Sequence, residues 1–240
     1  MLKLENVTKK YMTRTALNSL TLTLEAGRTC LLLGPNGSGK TTMMKLIAGL
    51  AQPTSGTILF DGEPIGPGSK ARIAYMPTEN YFYNYMTIRD AGRYYADFFE
   101  DFSLDGFNRM LADMGLDAGD RIRQLSSGMA AKLRLALVLS REARLMMFDE
   151  PLNGVDILTR TQVIDALLKG RREGRTLLIS THLVDELEDV VDEAILLKEG
   201  ELMGSGDKDA LCKGGTLKEL YLRVYGQQSV EPVEGGERHA

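Results

Sequence analysis

Apolar and polar side chains alternate over the first 27 residues, with Leu2, Leu4 and Val7 followed by Leu17, Leu20, Leu22 and Leu24. Period two is the pattern of strands with one buried face, and it predicts an antiparallel flank against a larger sheet. A second pattern then takes over. Thr29-Cys30-Leu31-Leu32-Leu33, Leu145-Met146-Met147-Phe148 and Thr176-Leu177-Leu178-Ile179-Ser180 are continuous apolar runs, as strands covered on both faces require. Shorter strands are expected at Thr57 to Phe60, between the turns Pro53-Thr54-Ser55-Gly56 and Asp61-Gly62-Glu63-Pro64, and at Ile73 to Met76, closed by Pro77.

From Glu79 to Arg144 the period becomes helical. Thr87-Ile88-Arg89-Asp90 reads as a capping box that opens one helix. Beyond Leu125-Ser126-Ser127-Gly128-Met129, the residues Leu133, Leu135, Leu137, Val138 and Leu139 give a Ser-capped helix its apolar face. Glu193 to Leu197 and Glu201 to Gly204 form a hairpin pattern around Glu199-Gly200, with short helices from about Asp207 and Thr216. Residues 226–240, polar and rich in Gly and Glu, read as a disordered tail. The fold class is therefore α/β: a mainly parallel sheet with an antiparallel β flank, and a helical insertion at about 79–144, within one domain of residues 1–225.

The first apolar run leads into Gly34-Pro35-Asn36-Gly37-Ser38-Gly39-Lys40-Thr41-Thr42, which fits G-x-x-x-x-G-K-[ST] at every fixed position and lies between a strand and a helix (Lys40 to Ala48). This makes the core that of a P-loop NTPase. The glycines let successive N–H groups turn inward to phosphate oxygens, and the helix N-terminus adds partial positive charge. Lys40 is placed to reach the β- and γ-phosphates and the Thr41 hydroxyl to ligate Mg²⁺, with Thr42 in a lesser role. The Ser126 helix N-terminus is a second potential anion site. The run from Leu145 ends in Asp149 and Glu150, adjacent carboxylates at the carboxyl edge of the sheet that are costly without a cation. His182 follows the third run at the same edge. Tyr11 lies in the polar segment Thr8-Lys9-Lys10-Tyr11-Met12, read as a turn, where its ring can stack on a base.

A net charge of -4 with scattered Lys and Arg leaves no basic footprint for nucleic acid. The longest apolar runs are far below the roughly 20 residues that span a bilayer, and the first residues read as a strand rather than a signal peptide. Two cysteines, Cys30 and Cys212, suggest neither a disulfide framework nor a metal cluster, and fit a reducing cytosol. The glycosylation-like triplets at Asn6 and Asn36 are chance matches, since the second lies in the phosphate loop.

With the phosphate loop, the Leu125–Met129 segment, the carboxylate strand and His182 in that order, the chain resembles the nucleotide-binding subunit of an ATP-binding cassette (ABC) transporter over about residues 1–225. It is similar to those paired with separate export-type membrane subunits. The resemblance implies ATP and Mg²⁺ as ligands, with Asp149 on the Mg²⁺ shell and Glu150 as general base. It makes His182 a γ-phosphate contact, Tyr11 the ring that stacks on adenine, and Asn153 to Asp156 the loop of the family that precedes the next helix. Ser126, Ser127 and Gly128 become the signature that meets ATP held by a second subunit. A head-to-tail homodimer follows, as does ATP hydrolysis that drives a separate integral membrane subunit from the cytoplasmic face of the cell membrane.

The chain departs from the family pattern in two places. Thr78 stands where a glutamine is usual, and the signature reads Leu-Ser-Ser-Gly-Met instead of Leu-Ser-Gly-Gly-Gln. These departures motivate a rival reading, a regulatory or soluble ABC-type ATPase with slow hydrolysis and no transport role. A P-loop kinase lacks support, because paired carboxylates here serve water as nucleophile. Ten of the 16 Phe and Tyr residues lie between Tyr81 and Phe107. Tyr81, Phe82, Tyr83 and Tyr85 are expected to anchor the membrane subunit, Tyr81 and Phe82 foremost, while Tyr94, Tyr95, Phe98 and Phe99 form a stripe that serves either that surface or the core of the helical insertion.

Overall fold

A computed structural model of the chain describes residues 1–79, 81–171 and 174–226; the tail expected from 226 lies, after that residue, outside them. Along the chain run β1 (Leu2–Tyr11), β2 (Arg14–Leu24), β3 (Thr29–Leu33), α1 (Lys40–Ile47), β4 (Ser55–Phe60), β5 (Glu63–Pro64), α2 (Pro67–Ala71) and β6 (Ile73–Met76). The helical stretch holds α3 (Ile88–Phe98), α4 (Leu104–Asp113) and α5 (Ser127–Leu139). Then come β7 (Leu145–Asp149), α6 (Ile157–Gly170), β8 (Thr176–Thr181), β9 (Glu193–Lys198), β10 (Glu201–Asp207), α7 (Lys208–Cys212) and α8 (Leu217–Tyr225).

The strands form two sheets. One is four-stranded and antiparallel, in the order β2-β1-β4-β5, and the other is six-stranded, in the order β10-β9-β3-β8-β7-β6. In the larger sheet β9, β3, β8, β7 and β6 are parallel and only β10 is antiparallel. The apolar runs are continuous because each of these strands divides its side chains between two cores. Leu31, Leu33, Met146 and Phe148 face a core shared with α5, α6 and the helical block. Cys30, Leu32, Leu145 and Met147 face a core closed by α1 and the small sheet. Burying a side chain of this size contributes about 1.5–3 kcal/mol, so a strand that buries every residue is held from both sides.

The small sheet explains why its alternation is imperfect. Leu4 and Val7 are three apart, as are Leu17 and Leu20, yet all four are buried. A register shift at each gap absorbs the extra residue, with Asn6 and Ser19 in the left-handed region at φ 49° and 47°. The expected turn at residues 8–12 is corrected here. β1 continues to Tyr11, which pairs with Arg14, and only Met12 and Thr13 turn. The Thr8 hydroxyl accepts from Ser19 N–H and the Thr54 hydroxyl from Lys10 N–H, so polar side chains supply partners along this segment and the strand persists. The turn expected at 53–56 is likewise shorter, since β4 begins at Ser55.

Thr87 caps α3 as its spacing predicted: its hydroxyl accepts from Asp90 N–H at 3.2 Å, and the Asp90 carboxylate accepts from Thr87 N–H at 2.9 Å. The last helix in the 79–144 stretch, α5, also packs on β6 and α6, and so belongs as much to the layer over the sheet as to the helical block. Among the described residues no helix is long and apolar enough to cross a membrane.

The aromatic cluster divides, and the reading of Phe82 is corrected. Phe82 is in the core, as are Tyr95, Phe102 and Phe107. Tyr81 is half exposed, but its hydroxyl is hydrogen-bonded to that of Tyr95. The rings that face solvent are Tyr83 and Tyr85, stacked with centroids 5.4 Å apart, together with Tyr94 and Phe98 on α3. Successive residues of the loop point to opposite sides, so one ring fills the block and its neighbours cannot.

Candidate active site

β3 is buried at every residue and delivers the chain to Gly34 at the carboxyl edge of the large sheet. The loop then wraps back over the start of α1. Gly39 caps that helix at φ 109°, and a Cβ there would lie 2.7 Å from the Ala16 carbonyl of β2, so glycine is required twice over. On the other side the β9–β10 turn buttresses the loop, with Gly200 N–H donating to the Ser38 carbonyl at 3.0 Å. Lys40 curls over the loop and donates to the carbonyls of Gly34 (2.7 Å) and Pro35 (3.3 Å). The Ser38 hydroxyl is buried and has no hydrogen-bond partner among the described residues, an unsatisfied group that a bound anion's oxygen would relieve.

Asp149 ends β7 and is fully buried. One carboxylate oxygen accepts from the Ser180 hydroxyl at 2.6 Å and the other from the Tyr75 hydroxyl at 3.2 Å. Burial, and then the adjacent carboxylate, push the Tyr75 hydroxyl above its ordinary pKa, so it stays a donor. Glu150 follows in the left-handed region at φ 50°, a conformation that costs a non-glycine residue on the order of 1–3 kcal/mol. Its N–H donates to the Ser180 hydroxyl at 2.9 Å, and its two carboxylate oxygens lie 3.4 Å from Lys40 Nζ and 2.8 Å from His182 Nδ1. Lys40, Glu150 and His182 thus form one chain of contacts across the edge of the sheet.

In front of them is a cavity of about 370 Å³. Its walls are Tyr11, Arg14 and Ala16 from the β1–β2 hairpin, Asn36 to Thr42 from the loop and α1, and Thr78, Glu150 and Asn153 from the carboxyl edge. Gly34 and Pro35, whose carbonyls accept from Lys40, are not among the lining residues, nor are Asp149 and His182, the latter in contact with Glu150. Tyr11 is 45% exposed, with Lys9 Nζ 4.8 Å from its ring centroid. The departure at Thr78 has a local role: its hydroxyl donates to the Asp149 carbonyl at 3.2 Å, while Arg134 of α5 donates to the Pro77 and Thr78 carbonyls.

The remaining residues singled out in the sequence gather elsewhere. Ser126 caps α5 and accepts from Met129 N–H at 3.2 Å, with Ser127 exposed as the first helical residue. Gly128 is buried beside Thr159 and Asp156. Asp156 caps α6, and hydrogen bonds from the Thr159 hydroxyl (2.7 Å) and N–H (3.0 Å) hold its carboxyl below the usual range. None of these four lines the phosphate-loop cavity. Sequence reasoning missed Arg14, Tyr75, Ser180 and Arg134, whose contacts join elements far apart in the chain.

The protein-family model described as ABC transporter matches residues 17–153. An uncharacterized ABC transporter ATP-binding protein of Synechocystis sp. is 32% identical over 94% of this chain, and this chain spans 63% of that protein's length. The lantibiotic transport ATP-binding protein SrtF of Streptococcus pyogenes is 30% identical over 92% of this chain and 96% of its own length. A solved ATP-binding subunit of an ABC transporter superposes with a TM-score of 0.84, at 26% identity, covering 93% of this chain and 99% of the other.

Proposed function

This chain belongs to the ABC transporter family, and we propose that it is the ATP-hydrolysing subunit of such a transporter. The observation that carries the reading is the convergence of Lys40, Glu150 and His182 beside the phosphate-loop cavity. ATP lies with its base against the free face of Tyr11 and its phosphates over the loop N–H groups and the α1 N-terminus. The γ-phosphate competes with Glu150 for Lys40, and the displaced carboxylate is then free to accept a proton from the attacking water. His182, in contact with the other Glu150 oxygen, holds the carboxylate in place and contacts the γ-phosphate. Thr41, on the cavity wall, and Asp149, whose buried carboxylate oxygens accept from Ser180 and Tyr75, are oxygen donors of the kind a hard cation takes and would hold Mg²⁺. When bound, Mg²⁺ would neutralise charge on the β- and γ-phosphates.

The signature residues Ser126, Ser127 and Gly128, with Asp156 beside them, do not line this chain's own cavity. They complete the site of a second copy in a head-to-tail homodimer, in which ATP is held between loop and signature. Closure on ATP and opening after hydrolysis drive a separate integral membrane subunit at the cytoplasmic face of the membrane. Tyr83, Tyr85, Tyr94 and Phe98 supply exposed rings for that subunit to dock on.

Replacing Glu150 with Gln tests the reading. ATP turnover should fall by on the order of 10²–10⁴, because the base is lost while the phosphate cradle is untouched. Binding of ATP should be retained. Turnover near the wild-type rate would remove Glu150 from the reaction.

A further inference from the structure

We propose that Arg14 contacts the phosphates of the bound nucleotide, as a second cation beside Lys40; this rests on the proposed binding of ATP. Arg14 opens β2 and pairs with Tyr11 across the hairpin turn. Its guanidinium reaches from there to the middle of the phosphate loop, where Nη2 donates to the Gly37 carbonyl at 3.1 Å. The side chain is exposed and lines the cavity. Among the described residues it forms no ion pair, whereas Lys40 is already engaged by two carbonyls and Glu150.

The position determines what Arg14 meets. A nucleotide with its base on Tyr11 and its terminal phosphate at Lys40 has to lead its phosphate chain past Gly37, and so past Arg14. A guanidinium carries five N–H donors in a rigid fork, and among the described residues only one bond, to Gly37, is made. The open donors and the uncompensated charge suit two oxygens of one phosphate. The competing role is a strut: the Gly37 bond alone pins the loop to the hairpin, and the charge is incidental. The two roles differ in what they do to a ligand without phosphates.

Arg14→Ala and Arg14→Lys should be titrated with ATP, ADP and adenosine at low and moderate salt, with melting of the nucleotide-free chains as the control for folding. Arg14→Ala should weaken ATP and ADP by about tenfold and Arg14→Lys by about threefold, the charge being kept but the fork lost. Adenosine affinity should not change, and the salt dependence of ATP binding should be shallower in Arg14→Ala than in the wild type. Wild-type ATP affinity in Arg14→Ala overturns the inference, and so does an equal loss for adenosine and ATP, which is the strut's result. Either leaves the proposed function standing, since the wild-type chain still binds ATP. A wild-type chain that binds no ATP removes both.

Discussion

The phosphate loop and the Ser126 end of α5 each offer a helix N-terminus of the kind that suits an anion, but to different degrees of completion. The first has walls: β2 on one side, the β9–β10 turn on another, and Glu150, which His182 contacts, on the carboxyl edge. The second has a capping serine, an exposed Ser127 and the Asp156 cap of a neighbouring helix, and it lines no part of the first cavity. A helix terminus supplies N–H groups and partial charge, but selectivity and chemistry need converging side chains. Under the proposed function, the loop region binds a nucleotide by itself, whereas the signature region acts only when another surface brings the phosphate to it.

Two substitutions should separate these halves. Lys40→Ala should raise the dissociation constant for ATP by roughly 10- to 100-fold, because it removes the charge-assisted bonds at the β- and γ-phosphates. Ser127→Glu should leave the ATP affinity of a single chain unchanged, yet lower turnover by on the order of 10² through repulsion of the partner-held phosphate. Folding should not suffer, since a carboxylate in the first turn of a helix is favourable. Isothermal titration paired with steady-state turnover reads both effects. Loss of ATP affinity in Ser127→Glu would merge the two regions into one site.

The smallest expected effect concerns the helix caps. Hydrogen bonds from Thr87 hold the Asp90 carboxyl below its ordinary value, and hydrogen bonds from Thr159 do the same for Asp156. A depressed folded-state pKa contributes stability above the unfolded value of about 3.9, and that contribution is lost as pH falls toward the folded value. The melting temperature should thus drop on acidification below about pH 4, and Asp156→Asn, which still caps but does not titrate, should flatten that drop slightly. An identical acid profile for this variant would deny the cap its share.

The buried strands and the loop were legible because their signals are local. A strand buried on both faces needs an uninterrupted apolar run, and a phosphate loop needs its glycines and lysine at fixed spacing. Glu199-Gly200 was legible for the same reason, as both residues take positive φ, 51° and 82°, in the turn. What stayed hidden depends on elements meeting in space. Tyr75 and Ser180 reach Asp149 from 74 and 31 residues away, and no pattern around either residue marks it. Arg14 reads as one more polar residue of a hairpin until the hairpin is laid over the loop. Phe82 and Tyr83 are adjacent aromatics with the same local signal, and only the helical block beneath them decides which ring turns in.

The most direct test of the two-region account is the mass in solution of the Glu150→Gln chain with Mg²⁺ and saturating ATP, measured with and without Ser127→Glu. The account predicts a dimer that forms only with ATP and reverts to a monomer when Ser127→Glu is added, while ATP binding persists. A chain that remains monomeric at saturating ATP, or a dimer indifferent to Ser127→Glu, would contradict it.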